Sequence, residues 1–261
     1  MVSQREAIDI AVLLIYILLL PLSLFVAFRH GFSRSVGFLY LCIFCGIRIA
    51  SSALGIISQN DSSSQTGLVW AGVLGSVGIS PLLLASFGLV SQVNRNSVPR
   101  SNIRVLTAEV LHIPNILALV LAIVGGTRLG SDSASERSSG RKFSQAGIII
   151  FLVVFVVYVG LCLLTTTAIH SVADRYTRML YAVLLALPFI SVRILYSMLA
   201  VFLTNQTTFA LVNGSAIAQL CMATIEEMIV VVLYLGVGIT THVHKGNNSE
   251  KPTYAMQPVT A

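Results

Sequence analysis

Residues 217–239 read IAQLCMATIEEMIVVVLYLGVGI, an apolar run long enough to cross a bilayer, yet Glu226 and Glu227 lie near its centre. Two other long apolar runs each carry a central arginine, Arg48 and Arg193. A charge at the centre of a membrane helix costs about 2.5 to 3.5 kcal/mol even on lenient insertion scales. Such a residue is therefore expected to be paired with an opposite charge, solvated by water or part of a functional site. These four charges are therefore expected to govern both the packing of the helices and the place of any functional site.

The composition is that of a polytopic membrane protein. The 261 residues are 56% hydrophobic and 10% charged, and the mean hydropathy is +0.87. Solid apolar runs, rather than short alternating strands, predict helices and exclude a closed barrel. We expect one all-α bundle of seven transmembrane helices at residues 1–246, followed by a disordered cytoplasmic tail at 247–261. The seven predicted spans are 8–28, 35–57, 67–90, 107–126, 147–169, 179–203 and 217–239.

Two of these spans are predicted to be irregular. The fourth carries Glu109, His112, Pro114 and Asn115 near its start, so an interfacial turn is expected before the run from Ile116 to Gly126. The third contains a stripe of small residues that ends at Pro81, which predicts a close helix contact and a kink. The stripe consists of Gly72, Gly75, Ser76, Gly78 and Ser80.

The distribution of basic residues predicts an outside N-terminus and a cytoplasmic C-terminus. In this orientation nine lysines and arginines outside the spans fall on the cytoplasmic side and five on the other. The glycosylation sequons at Asn60, Asn205 and Asn213 then lie outside, while Asn247 lies on the cytoplasmic side. The membrane itself, plasma membrane or endomembrane, is not indicated.

Several function classes receive no support from the sequence. The net charge of +6 comes from residues at helix ends, without the basic face of a nucleic-acid site, so no nucleic-acid partner is expected. Cys42, Cys45, Cys162 and Cys221 all lie within predicted spans, which excludes a disulfide between exposed loops. Cys42 and Cys45 have a redox or metal spacing but no further ligands, so we interpret them as a packing pair. No metal or cofactor is predicted.

The four intramembrane charges are expected to meet. With a rise of 1.5 Å per residue, Arg48, Arg193, Glu226 and Glu227 should lie within about one helical turn of a common plane. Two positive and two negative charges would cancel, and pairing inside the bundle is the usual fate of intramembrane ions. One interpretation is thus a neutral buried cluster that fixes the register of the helices.

The other interpretation is functional. Adjacent helical residues point about 100 degrees apart, so one glutamate can pair with an arginine while its neighbour faces a cavity or another helix. A protonatable carboxyl group at mid-membrane suits either a proton-coupled binding site or a general acid that acts on an apolar substrate. The polar side chains predicted to line such a cavity are Gln219, Thr224, Tyr196 and Ser197.

We therefore expect a protein that binds or transports a small amphipathic molecule through a mid-membrane Arg/Glu site. The alternative is a membrane-embedded terpene cyclase, in which a protonated Glu226 or Glu227 would initiate cyclisation of a prenyl chain. No Asp-rich diphosphate motif is present, so only protonation-initiated cyclisation is considered. A seven-helix receptor is the third possibility, although the short cytoplasmic loops offer little docking surface.

A faint internal repeat accompanies the charges. Arg48-Ile49 and Ser52 recur as Arg193-Ile194 and Ser197, an offset of 145 residues that also lays the third span over the seventh. This predicts two parallel halves of three helices joined by the fourth span, a plan that some transporters use.

The chain as a whole resembles a fungal family of seven-helix integral membrane proteins of unknown function. The stretches that carry the resemblance are FRHGFSR at 28–34, GISPLLL at 78–84, LPFISVR at 187–193, NGS at 213–215 and EEMIVV at 226–231. The resemblance implies a fungal source, a seven-helix fold and no established activity. Some similar proteins occur beside secondary-metabolite genes, including those for indole-diterpenes. It implies no catalytic residue.

Overall fold

The protein is a bundle of helices. The computed structural model describes residues 4–31, 36–60, 65–97, 103–131, 133–167, 174–202 and 219–241, and within these ranges every regular element is helical. Seven spans are long and apolar enough to cross a membrane, which confirms the predicted all-α, seven-helix fold. The helices are α1 (Gln4–His30), α2 (Val36–Asn60), α3 (Gln65–Val77), α4 (Ile79–Ser97), α5 (Ile103–Leu129), α6 (Ala134–Thr167), α7 (Asp174–Phe202) and α8 (Ile225–Thr240), and a π-helical segment (Leu220–Thr224) precedes α8.

Some sequence predictions concern residues outside these ranges. Asn205, Asn213 and the tail at 247–261 lie outside the described residues. Asn60 ends α2, but its side chain is not among those described. The orientation of the bundle in the membrane stays a prediction.

The third span, which consists of α3 and α4, is the centre of the bundle. In its most apolar stretch 83% of the residues are buried, against 28% in the first span. α4 packs against α2, α5, α6 and α7, and its Leu82 and Leu83 are almost fully buried. The outer helices keep large apolar side chains such as Leu18, which is 73% exposed, on their outward faces. The third span is thus the element around which the other spans are arranged.

This central span is broken at Gly78, three residues before Pro81. Proline has no N–H to donate to the carbonyl oxygen four residues earlier, so the ladder of hydrogen bonds fails at Val77. α3 ends at Val77, α4 begins at Ile79, and the Leu82 N–H donates to the Gly78 carbonyl oxygen at 3.4 Å. The irregularity predicted from Pro81 is therefore present, but the chain turns at the glycine.

Glycines also set the closest helix contacts. A Cβ on Gly78 would lie 3.1 Å from the Phe44 ring of α2. The tightest approach between α2 and the third span lies elsewhere, at the facing glycines Gly37 and Gly88. A Cβ on Gly37 would lie 2.8 Å from the Ala85 carbonyl oxygen of α4, and a Cβ on Gly88 would come still closer to the Gly37 backbone. The predicted small-residue stripe thus accounts for only part of this packing.

The fourth span, which lies within α5, lacks the break that was predicted near its start. The expected interfacial turn is wrong, because α5 runs without interruption from Ile103 to Leu129 and includes Pro114. Asn115 is fully buried, and its amide donates to the Ser80 hydroxyl at 2.9 Å and to the Ser80 carbonyl oxygen at 3.3 Å. A polar residue that the sequence placed at the membrane surface therefore has its hydrogen-bond partner inside the bundle, beside the break in the third span.

α6 begins well before its predicted start at residue 147. It starts at Ala134 and has 34 residues, or about 51 Å at 1.5 Å per residue, against a hydrocarbon core of about 30 Å. Its first turn is held by Ser131, whose hydroxyl donates to Glu136 and whose carbonyl oxygen accepts from Arg137 Nε at 2.7 Å. The prediction left Arg137, Arg141 and Lys142 in the long loop between the fourth and fifth spans. They lie instead on a helix that forms a tight hairpin with α5.

The α5–α6 hairpin gives a matched test of the packing. A Cβ on Gly125 would lie 2.6 Å from the Ser144 backbone nitrogen, whereas a Cβ on Gly160 of α6 has nothing within 4 Å. We expect Gly125→Ala to lower the free energy of unfolding by about 1 to 3 kcal/mol, because the two backbones must separate. Gly160→Ala should leave it unchanged or raise it by up to about 1 kcal/mol. Thermal unfolding of both purified variants measures this, and equal stabilities would contradict the described hairpin.

A buried Arg–Glu–Arg cluster as the candidate functional site

Glu227 is the centre of the charged cluster. It lies in the first turn of α8 with its side chain completely buried. Its Oε1 accepts a hydrogen bond from Arg193 Nε of α7 at 2.5 Å, and its Oε2 forms an ion pair with the Arg48 guanidinium of α2. One carboxylate is therefore shared by two arginines, which are 5% and 4% exposed.

Arg193 connects the cluster to a further helix. Its Nη1 donates to the Ser197 hydroxyl at 2.7 Å, and its Nη2 donates to the Gly75 carbonyl oxygen at 2.8 Å. Gly75 is in the last turn of α3, next to the break in the third span. The last turn of α3 thus supplies an acceptor for the arginine, and α2, α3, α7 and α8 are joined at one place.

Arg48 is less completely bonded. Its guanidinium carbon lies 5.8 Å from the centroid of the Phe44 ring, within the range of a cation–π contact. Its Nε is buried and has no hydrogen-bond partner among the described residues. Tyr16 of α1 packs against the same Phe44 ring at 5.9 Å between centroids, so two aromatic rings separate Arg48 from the outer face of α1.

Glu226 does not join this arrangement. Among the described side chains it forms no ion pair with either arginine, and one of its oxygens is buried without a hydrogen-bond partner. Consecutive helical residues point about 100 degrees apart, so Glu226 cannot follow Glu227 into the contact. The structure brings three of the four predicted charges together, two positive and one negative, rather than the neutral set of four expected from the sequence.

A small polar cleft opens beside the two arginines. Its cavity volume is about 20 Å³, room for about one water molecule. Of the predicted lining residues, Gln219, Tyr196 and Ser197 line this cleft and Thr224 does not. The remaining lining residues are Arg48, Arg193, Gly72, Gly75, Ser76, Ala200 and Ala223.

A larger apolar groove lies on the other side of the last span. It measures about 240 Å³ and runs between α1 and the residues from Leu220 to Met228. Tyr16, Ile15 and Thr224 are among its lining residues. Neither the groove nor the cleft includes Glu226 or Glu227 in its lining.

Sequence reasoning missed the contribution of α3. Gly75 offers its backbone carbonyl oxygen to Arg193, and Gly78 lies beside the cluster, where a Cβ would be 3.1 Å from the Phe44 ring and 3.7 Å from Glu227 Oε1. Both residues were assigned only to helix packing. The available signal was Pro81, because a proline inside a span predicts a break in the helix, and carbonyl oxygens in the turn before a break can accept from side chains.

The two adjacent glutamates provide a matched test of the cluster. Glu227→Gln leaves two buried arginines without a counter-charge, and breaking a buried pair costs about 3 to 5 kcal/mol. Glu226→Gln removes a carboxylate that has no ion-pair partner, so a loss below about 1 kcal/mol is expected. Thermal unfolding in lipid nanodiscs compares the stabilities of the two variants with that of the parent protein. Equal losses, or a larger loss for Glu226→Gln, would contradict the assignment of Glu227 as the shared carboxylate.

Comparison with known proteins gives a family but no activity. No curated protein and no solved structure matches the chain. One family model matches residues 2–244, which include every described helix, and it represents a domain of unknown function designated DUF7702. The chain belongs to the DUF7702 family.

Proposed function

We propose that this protein binds a small amphipathic molecule and moves it across the bilayer, and that the cleft beside Arg48 and Arg193 receives the polar part of that molecule. The observation that carries the proposal is the interruption of two spans at the charged cluster. The third span breaks at Gly78, and a π-helical segment ends at Thr224, two residues before Glu226. Interrupted helices around a mid-membrane site are typical of secondary transporters, and π-helical turns are frequent at functional sites.

The internal repeat supports the same site. The offset of 145 residues that pairs Arg48 with Arg193 also pairs Gly78 with Ala223, which lies in the π-helical segment. Each proposed half of the protein thus supplies one arginine and one interrupted helix to the cluster. Irregular helices at corresponding positions of two repeats point to the binding site of a transporter.

The surroundings of the cluster suit an amphipathic ligand. The polar cleft and the apolar groove lie on opposite sides of the π-helical segment, with Gln219 and Ala223 facing the cleft and Leu220 and Thr224 facing the groove. The cleft is too small for any amphipathic molecule, so the described conformation is closed. Displacement of the π-helical segment is the movement that would join the two cavities.

The cyclase alternative receives less support. An acid that protonates a prenyl chain must face a cavity that holds the chain, whereas neither carboxyl group lines the apolar groove. Glu227 is moreover occupied by two guanidinium groups. The resemblance to fungal proteins encoded beside secondary-metabolite genes makes prenylated metabolites a suitable first class of ligand, carried unchanged.

Filling the cleft tests the proposal without altering a charge. Ala200 lines the cleft, and Ala50 lies exposed on α2 two residues from Arg48, so Ala200→Leu and Ala50→Leu form a matched pair. The assay loads proteoliposomes with a panel of prenyl alcohols and medium-chain fatty acids and measures their efflux by mass spectrometry. We expect Ala200→Leu to lower the efflux of any transported compound at least tenfold and Ala50→Leu to leave it unchanged.

Two results would contradict the proposal. One is efflux from parent proteoliposomes equal to that from empty liposomes for every compound of the panel. The other is efflux that continues undiminished in folded Ala200→Leu. Conversion of a prenyl compound by the parent protein would instead support the cyclase.

A further inference from the structure

We propose that the cleft between Arg48 and Arg193 binds a monovalent anion. The anion is either a free inorganic ion such as chloride or the carboxylate of an amphipathic molecule, and only the second source rests on the transport function proposed above. The starting point is the balance of charge, because two arginines share one carboxylate.

The imbalance matters because the arginines are buried. At 5% and 4% exposure neither guanidinium group is solvated from the surface, and a desolvated charge without a counter-charge is costly inside a membrane protein. Glu227 neutralises one of the two positive charges. Glu226 and Asp9 of α1 act electrostatically on Arg193 and Arg48, but neither carboxyl group forms an ion pair with an arginine among the described residues or lines the cleft. The Asp9 carboxyl group instead accepts a hydrogen bond from Gln59.

The donors at the cleft favour an anion over a neutral ligand. Arg48 lines the cleft, and its buried Nε–H has no acceptor among the described residues. Ser76 and Ser197 already donate to the carbonyl oxygens of Gly72 and Arg193. No acidic side chain lines the cleft, so a bound anion would meet no like charge there.

The size of the cleft limits what can enter the described conformation. A cavity of about 20 Å³ accepts about one water-sized group, which suits a halide ion or one carboxylate oxygen. Gly72, Gly75 and Ala223 keep the space open because they have little or no side chain. The cleft extends from the arginines to Gln219 and Ala200, near the ends of the last two spans, and Gln219 is placed to donate from its amide.

The test measures thermal unfolding of the full chain in zwitterionic nanodiscs at constant ionic strength. Chloride replaces gluconate in one series, and octanoate is compared with octanol, an uncharged molecule of equal chain length, in another. We expect chloride or octanoate to raise the Tm of the parent protein in a saturable manner, and gluconate or octanol to have no such effect. A rise with chloride alone identifies a free inorganic anion, whereas a larger rise with octanoate identifies the head group of an amphipathic molecule.

Three variants assign the effect to the cleft. Arg48→Met leaves a balanced pair of Arg193 and Glu227, so it is expected to fold and to lose at least tenfold in anion affinity. Gln219→Ala keeps both arginines, and its anion affinity should fall by about threefold. Arg128→Met removes an exposed arginine of the α5–α6 hairpin and is expected to behave as the parent does.

The proposal is overturned if the parent Tm is the same in chloride, octanoate and gluconate, or if Arg48→Met keeps the full shift. It is also overturned if anion dependence is absent from the parent and appears in Glu226→Gln, since Glu226 would then be the missing counter-charge. The two proposals fail separately. Anion binding without efflux contradicts transport alone, and efflux without anion dependence contradicts the anion site alone.

Discussion

The Glu227 carboxylate between two guanidinium groups is the contact on which the rest of the arrangement depends. It joins α8 to α2 and α7, and Arg193 extends the contact to the α3 backbone. In a bilayer, where apolar burial does not favour one helix neighbour over another, such a polar contact selects a unique packing. α1 stands outside this contact and is instead joined to the C-terminal end of α8, where Arg29 and His30 donate to the carbonyl oxygens of Ile239 and Gly238.

The cluster lies beside the break in the third span. Pro81 leaves the Val77 carbonyl oxygen without its helical donor, α3 ends there, and the Gly75 carbonyl oxygen in the last turn of α3 accepts from Arg193. Gly78, at the break, lies beside the Phe44 ring and Glu227. The same break lies beside Asn115, whose amide nitrogen donates to Ser80, so the central span makes this polar contact close to the point where its own hydrogen-bond ladder is interrupted.

The sequence predicted the spans and the common depth of the charges, because apolar length and the rise per residue determine both. It could not predict which glutamate pairs with the arginines, since that depends on how α8 is rotated against its neighbours. Gln219 and Thr224 illustrate a second cause. Both were assigned to one cavity as neighbours of the glutamates, but residues five apart on an α-helix point about 140 degrees away from each other, and the two line different cavities. The early start of α6 was missed because its first turns are polar and are held by Ser131 rather than by apolar burial.

A double-mutant cycle between Arg193 and each glutamate tests the central claim most directly. Each cycle combines Arg193→Met with Glu227→Gln or with Glu226→Gln and compares the free energies of unfolding of the four proteins in nanodiscs. The described contact predicts a coupling energy of about 1 to 3 kcal/mol between Arg193 and Glu227, and below about 0.5 kcal/mol between Arg193 and Glu226. A larger coupling to Glu226 would contradict the account, because Arg193 would then take its counter-charge from the other carboxylate and Glu227 would no longer be the shared one.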